Sequence, residues 1–247
     1  MTRIPLRWAI ALLAFSPAGR AATEGELGLQ AQLRGNSEEA LQHYLIALKQ
    51  DPANAALMED VARQYSDLSD SQPTLHERRK DAEAAVDYST RADRAQPNNA
   101  VFLTAVAISY GKLSSCSDVS RKVSLSRTIY ADASKAVQAD PNYAWGHHVL
   151  GRWNYAVARV NGTSRMWVKL FYGGLPEASF DAAEKELTRA TELEPKEPAH
   201  WIELGFIESA EGRTADARKC WQRGLDLPGR QRYQTEYKAQ ARKALGL

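Results

Sequence analysis

Five histidines, two cysteines and a scatter of carboxylates are the side chains here that could do chemistry. The histidines are His43, His76, His147, His148 and His200. His147 and His148 are adjacent, so on a helix they point about 100° apart and cannot share one metal without distortion. No His-Glu-x-x-His or comparable ligand spacing occurs. Cys116 and Cys220 fit neither a metal knuckle nor a Cys-x-x-Cys redox motif. They could pair in an exported chain, but they read better as two independent small residues, one in a loop and one on a helix. Gly173-Gly174 lacks the preceding strand that a phosphate-binding loop needs. It reads as a turn between two helices, with Ser179 as the next N-cap. Asn161-Gly162-Thr163 is either a glycosylation acceptor, on a eukaryotic secretory route, or a local bend. The expectation is a protein without catalysis, metal or cofactor, so its work must be binding.

The elements that would position a binding surface are helices, and they repeat. An Ala-(four residues)-Pro phrase recurs at Ala47–Pro52, Ala92–Pro97, Ala136–Pro141 and Ala190–Pro195, and Pro228 closes a fifth unit without the alanine. Successive prolines lie 45, 44, 54 and 33 positions apart. The last spacing is close to the 34-residue period of a tetratricopeptide repeat; the others carry roughly 10, 10 and 20 more. The fifth unit is the cleanest. Gly205 and Ala217 let its two helices approach, while Trp201, Leu204 and Trp221 fill the space around them. Gly212 supplies the left-handed turn between them. His147 falls where the repeat places a large packing residue. Gly151 with Ala183, Leu187 and Ala190 repeats the pattern in the fourth unit, and Gly28 with Ala40 and Tyr44 in the first.

The fold class expected is all-α. It is a tetratricopeptide-like right-handed superhelix of antiparallel helix pairs, with lengthened hairpins and a C-terminal capping helix. The repeats fall at about 22–54, 55–99, 100–143, 144–197 and 198–230, and the capping helix at 231–245. Stretches 67–80 and 111–122 read as long turns followed by early extension of the next helix. The run from Leu150 to Gly174 reads as a first helix that fails to turn back, a lengthened or bent hairpin. The capping helix has Tyr233, Tyr237, Ala241 and Ala244 on one side, to cover the last hairpin.

Residues 1–21 read differently. Arg3 and Arg7 precede an apolar run, Trp8 to Phe15, and Ser16, Pro17 and Gly19 break it before Ala21. This is a signal-peptide pattern, and the expected location is export to a periplasm or the medium. The alternative is a cytoplasmic or organelle-associated protein. Without those residues the formal net charge of +2 becomes −1. A near-neutral chain excludes a bulk electrostatic interest in nucleic acid.

Several phrases narrow the pattern further. "DLSD" leads to "DAEAAVDYSTRADRAQPNNA"; then come "AISYGKLSS", "LGRWNY" and the "GGLPEAS" turn. With their insertion positions, these resemble the regulator of microtubule dynamics family over roughly 40–245. The resemblance implies a curved, non-catalytic helical array. It also implies association with microtubules and, in one member that tethers organelles, with partner proteins and phospholipid. The exported start departs from that family.

In tetratricopeptide arrays the first helix of each pair lines the concave groove. Carrying that register across gives Arg63 from the second repeat, Thr104 and Ile108 with Lys112 from the third, Trp145, His148, Arg152 and Tyr155 from the fourth, and Ile202 and Phe206 from the fifth. An aromatic and aliphatic floor with three cations suits an extended peptide with acidic groups. The alternative is a phospholipid or other amphiphile in an enclosed apolar pocket near the fourth repeat, with Arg152 or Lys112 at its mouth. The same residues could instead pack within a tight superhelix.

Overall fold

A computed structural model describes residues 22–247, and the signal-peptide expectation at 1–21 lies outside them. Twelve helices and no strands occur among the described residues. They pair in order as antiparallel hairpins: α1 (Glu24–Leu33) with α2 (Ser37–Gln50), α3 (Ala55–Ser71) with α4 (Leu75–Ala95), and α5 (Ala100–Ser115) with α6 (Val119–Ala139). The pattern continues with α7 (Ala144–Ala158) and α9 (Phe180–Leu193), then α10 (Pro198–Ala210) and α11 (Thr214–Asp226). α8 (Gly162–Tyr172) is inserted between α7 and α9, and α12 (Arg232–Leu245) closes the chain.

The proline phrases act as punctuation. Each closes one helix, and at α3, α5 and α10 a side chain then caps the next. Asn54 accepts from the Leu57 N–H at the start of α3, and Asn99 from the Val101 N–H at the start of α5. Within each pair the second helix presents alanine where the helices come closest. Ala40, Ala85, Ala92, Ala133, Ala136, Ala183, Ala190 and Ala217 are all fully buried. The partner positions on the first helices are glycines where the contact is tightest. A Cβ on Gly205 would stand 2.6 Å from the Trp221 ring and 3.1 Å from the Ala217 carbonyl oxygen. Such an approach admits no side chain without moving a rigid indole. Around these contacts Tyr44, Leu187 and Trp221 fill the layers, each burial contributing about 1.5–3 kcal/mol.

Two sequence expectations change in detail. The stretches expected to be long turns are mostly helix: α3 runs on to Ser71 and α5 to Ser115, leaving only three residues before α4 and before α6. The serines continue the helices because their hydroxyls turn inward. Ser69 Oγ donates to the Ser66 carbonyl and Ser71 Oγ to the Leu68 carbonyl. The fourth first-helix does not run on. α7 ends at Ala158 and α8 begins afresh, because Asn161 is extended (φ −62°, ψ 157°) and caps α8 through the Ser164 N–H at 2.8 Å.

Candidate functional site

The first helices α1, α3, α5, α7 and α10 share one inner face, and α12 lies across it. Its first turn ties the start of the array to the later repeats. Arg232 pairs with Glu38 at 3.1 Å, and Gln231 just before α12 bonds Gln32 at 3.4 Å. The next residue, Tyr233, stacks edge-on against Trp145, with ring centroids 5.4 Å apart. Tyr233 Oη and Gln234 Nε2 both donate to Glu197, at 3.1 and 3.0 Å. One turn on, Tyr237 is buried, and its hydroxyl meets Arg152 Nη1 at 2.7 Å and His148 Nε2 at 3.1 Å. α12 also packs on α10 and α11, as a capping helix must.

Three residues expected in a groove, Trp145, His148 and Arg152, therefore converge on the chain's own last helix. Of the three only His148 is buried; Trp145 is half-buried and the Arg152 side chain stays 54% exposed. His148 and His200 face each other through their Nδ1 atoms at 2.9 Å. That contact is satisfied only with one ring donating and the other accepting. Burial, the neighbouring His200 and the Arg152 charge push His148 well below the usual histidine range. Arg152 also faces Glu203 at 3.4 Å, and that carboxylate holds its guanidinium charged. His147 takes a different role. Its Nδ1 meets Glu186 at 2.6 Å and its Nε2 meets the Pro141 carbonyl at 3.0 Å, which raises its pKa.

The other expected residues disperse. Arg63 pairs with Glu59 at 2.7 Å, and Lys112 pairs with Asp70. With Arg152 facing Glu203, each of the three expected cations already has a carboxylate partner. The face near α3 is acidic rather than basic. Burial lifts Asp67 to about 6, with Lys112 pulling it back down, and burial with the Glu59 charge lifts Asp60 to about 7. Ile202 is wholly enclosed, 0% exposed, with Ala199, Ala217 and Trp221 around it. Thr104 is equally enclosed, and Ile108 packs against Ala107, Ala133 and Val149. Ile202 and Thr104 sit in the interior, out of reach of a ligand on the inner face, while Ile108 is partly buried.

Tyr155 and Phe206 line a cleft instead. It holds about 720 Å³ and opens to solvent beyond the end of the α12 contact. Phe180, Trp221 and Ala244 complete its floor, and Arg159, Asn161 and Ser209 stand at its rim. The Arg159 guanidinium lies over the Tyr155 ring at 5.2 Å. Sequence reasoning missed Phe180, which opens the second helix α9, and Arg159, the C-cap of α7, because only first-helix register was used. It also missed the inward role of Tyr237, although its helix face was legible. Cys116 caps the end of α5 and is buried; Cys220 lies on α11, is half-buried, and burial pushes its thiol up to about 11. Both are free.

Known proteins were compared against this geometry. The family described as Regulator of microtubule dynamics protein 1-3 matches residues 28–246. The mouse Regulator of microtubule dynamics protein 3 is 24% identical over 68% of this chain and 36% of its own length. The bovine Regulator of microtubule dynamics protein 1 is 24% identical over 65% of this chain and 50% of its own length. The chain thus spans about a third to a half of the curated relatives it matches. Among solved structures, a thermophilic TPR protein of Thermus thermophilus superposes with a TM-score of 0.68 at 19% identity, covering 91% of this chain and 98% of that one. The fold is thus that of an all-α tetratricopeptide array. The family match overturns the expectation of export. Microtubules lie inside the cell, and the matched relatives are named for them. With its family pattern running from α1 into the last residues of α12, this chain belongs to the regulator of microtubule dynamics family.

Proposed function

We propose that this chain is a non-catalytic interaction module that binds an extended peptide segment of a partner protein in the cleft between α7, α9, α10 and α12. One observation carries the reading. α12 meets the inner face through its first turn and Tyr237, while the Tyr155–Phe180–Phe206–Trp221 floor stays open beside it. Aromatic floors anchor peptide side chains, and Arg159, which has no carboxylate within ion-pair distance among the described residues, can take an acidic group at the rim. The ligand is thus a peptide carrying an apolar anchor next to an acid. Such a module would serve the microtubule-linked work of the relatives by joining proteins together. The cleft is open and carries polar groups at its rim, which suits a peptide better than the acyl chains of an enclosed lipid.

The test is selection from a displayed random-peptide library, followed by affinity measurement with purified protein. Selected peptides should combine an aromatic or aliphatic residue with a nearby acid. Ser209→Trp fills the cleft without removing a packed side chain, and Arg159→Glu reverses the rim charge. Each should weaken a selected peptide by about tenfold or more while leaving the melting temperature unchanged. Peptides that bind both variants as well as the parent would place the site elsewhere. Phospholipid retained by the purified protein, and released only by organic extraction, would favour an amphiphile instead.

A further inference from the structure

The insertion that separates α7 from α9 has a use that the cleft does not require. α8 is an 11-residue helix with no buried residue. Its outward face is apolar: Leu170 is 72% exposed, Met166 63%, Phe171 61% and Trp167 53%. Trp167 and Phe171 are already stacked, with centroids 4.9 Å apart and planes 9° from parallel. A face of this kind on a free surface is costly unless something covers it.

The helix is held in place by cations beneath it. Arg165 Nη2 donates to the Val157 carbonyl at 2.9 Å. Arg127 of α6 donates to the Gly174 carbonyl at 2.6 Å and also to the Tyr172 carbonyl. These arginines bind backbone oxygens, not carboxylates, so their charge is uncompensated. Lys169 stands on the same helix, and Arg159 lies just before it. Arg121 and Lys122 are exposed at the start of α6, against which α8 packs. No aspartate or glutamate occurs between Asp140 and Glu177.

We infer that α8 is a membrane-surface anchor, which lays its Met166–Trp167–Leu170–Phe171 face into the headgroup region of an anionic lipid bilayer. Three features fix the occupant. The charged side chains on α8 itself, Arg165 and Lys169, are both positive, which an anionic lipid surface complements. Trp and Phe are residues that settle at the interface between headgroups and acyl chains. The helix is short and amphipathic, so it lies on a bilayer and does not cross it. Indeed, no helix among the described residues is long and apolar enough to span one. A bilayer surface is a different ligand from the peptide of the α7–α10 cleft, and either site can be lost without the other.

The experiment is co-sedimentation of the purified full chain with vesicles of phosphatidylcholine, and of phosphatidylcholine containing phosphatidylserine. The expected result is binding to the anionic vesicles, weakened by added salt. Leu170→Glu with Phe171→Glu should lower that binding by roughly tenfold or more. The melting temperature should not change, because both side chains are exposed. Lys169→Glu should weaken binding without touching the apolar face. Three results would overturn the assignment. One is no binding to either vesicle. Another is binding that the double variant leaves intact. The third is a concentration-dependent dimer of the free chain that the double variant abolishes while vesicles remain unbound, which would assign the face to a second copy.

Discussion

His148 is the residue on which the inner face turns. Its two ring nitrogens reach α10 through His200 and α12 through Tyr237. Burial first, then His200 and the Arg152 charge, keep its ring neutral. The sign of the pH dependence follows. The folded pKa lies below the ordinary 6.5, so the unfolded chain binds the proton more tightly. This residue's contribution is complete above about pH 6.5 and fades as the pH falls from there through the folded value. Asp67 and Asp60 act in the opposite sense. Their folded values of about 6 and about 7 lie above the ordinary 3.8, so they favour the fold in acid and cost stability as the pH rises. A comparison isolates the histidine. Parent minus His148→Gln stability, from urea unfolding, should shrink between about pH 7 and pH 5. A constant difference would mean that His148 does not titrate on folding. The adjacency of His147 and His148 was legible in the sequence, and it puts the two rings on different sides of α7, one toward Glu186 and one toward Tyr237. The partner of His148 was not, because Tyr237 lies 89 positions away and a helix pattern reports burial without naming what covers it.

At the scale of elements, the repeat register was readable because it rests on local sterics. Glycine and alanine sit where two helices nearly touch, and large side chains sit one turn on. Gly205 tests this directly. Gly205→Leu should lower unfolding free energy by about 1–3 kcal/mol or more, since Trp221 and the Ala217 carbonyl leave no room. Gly111 on α5 is the control, with nothing within 4 Å of an added Cβ. Gly111→Ala should be neutral or stabilising, by up to about 1 kcal/mol. Equal effects at both positions would remove the close-contact account. The register was less reliable where the repeat is interrupted. Polar stretches after α3 and α5 looked like turns, yet their hydroxyls satisfy the helix they extend. Asn161-Gly162 looked like a bend in one helix, yet its side chain caps a new one. Arg152 shows the same limit. Its register placed Arg152 on an open groove, where Arg152→Glu would leave the fold intact. In the structure it would set a carboxylate beside Glu203 and beneath Tyr237, and loosen α12.

At the scale of the whole molecule, five hairpins build an inner face and the last helix of the chain returns to cover it. Expected groove residues therefore divide into four groups: those that hold α12, those packed in the hairpins, Arg63 and Lys112 in local ion pairs, and Tyr155 and Phe206 at the open cleft. The array was legible from periodicity. The return of α12 was not, because it depends on contacts between the ends of the chain, such as Arg232 with Glu38. The central claim is that binding occurs at the cleft and leaves α12 in place. Hydrogen–deuterium exchange of the protein with and without a selected peptide tests it most directly. Protection confined to the segments around Tyr155, Phe180, Phe206 and Ser209, with α12 exchange unchanged, is the predicted result. Protection spreading along α3 and α5 while α12 exchange rises would contradict it, and would show that the peptide displaces α12 from the inner face.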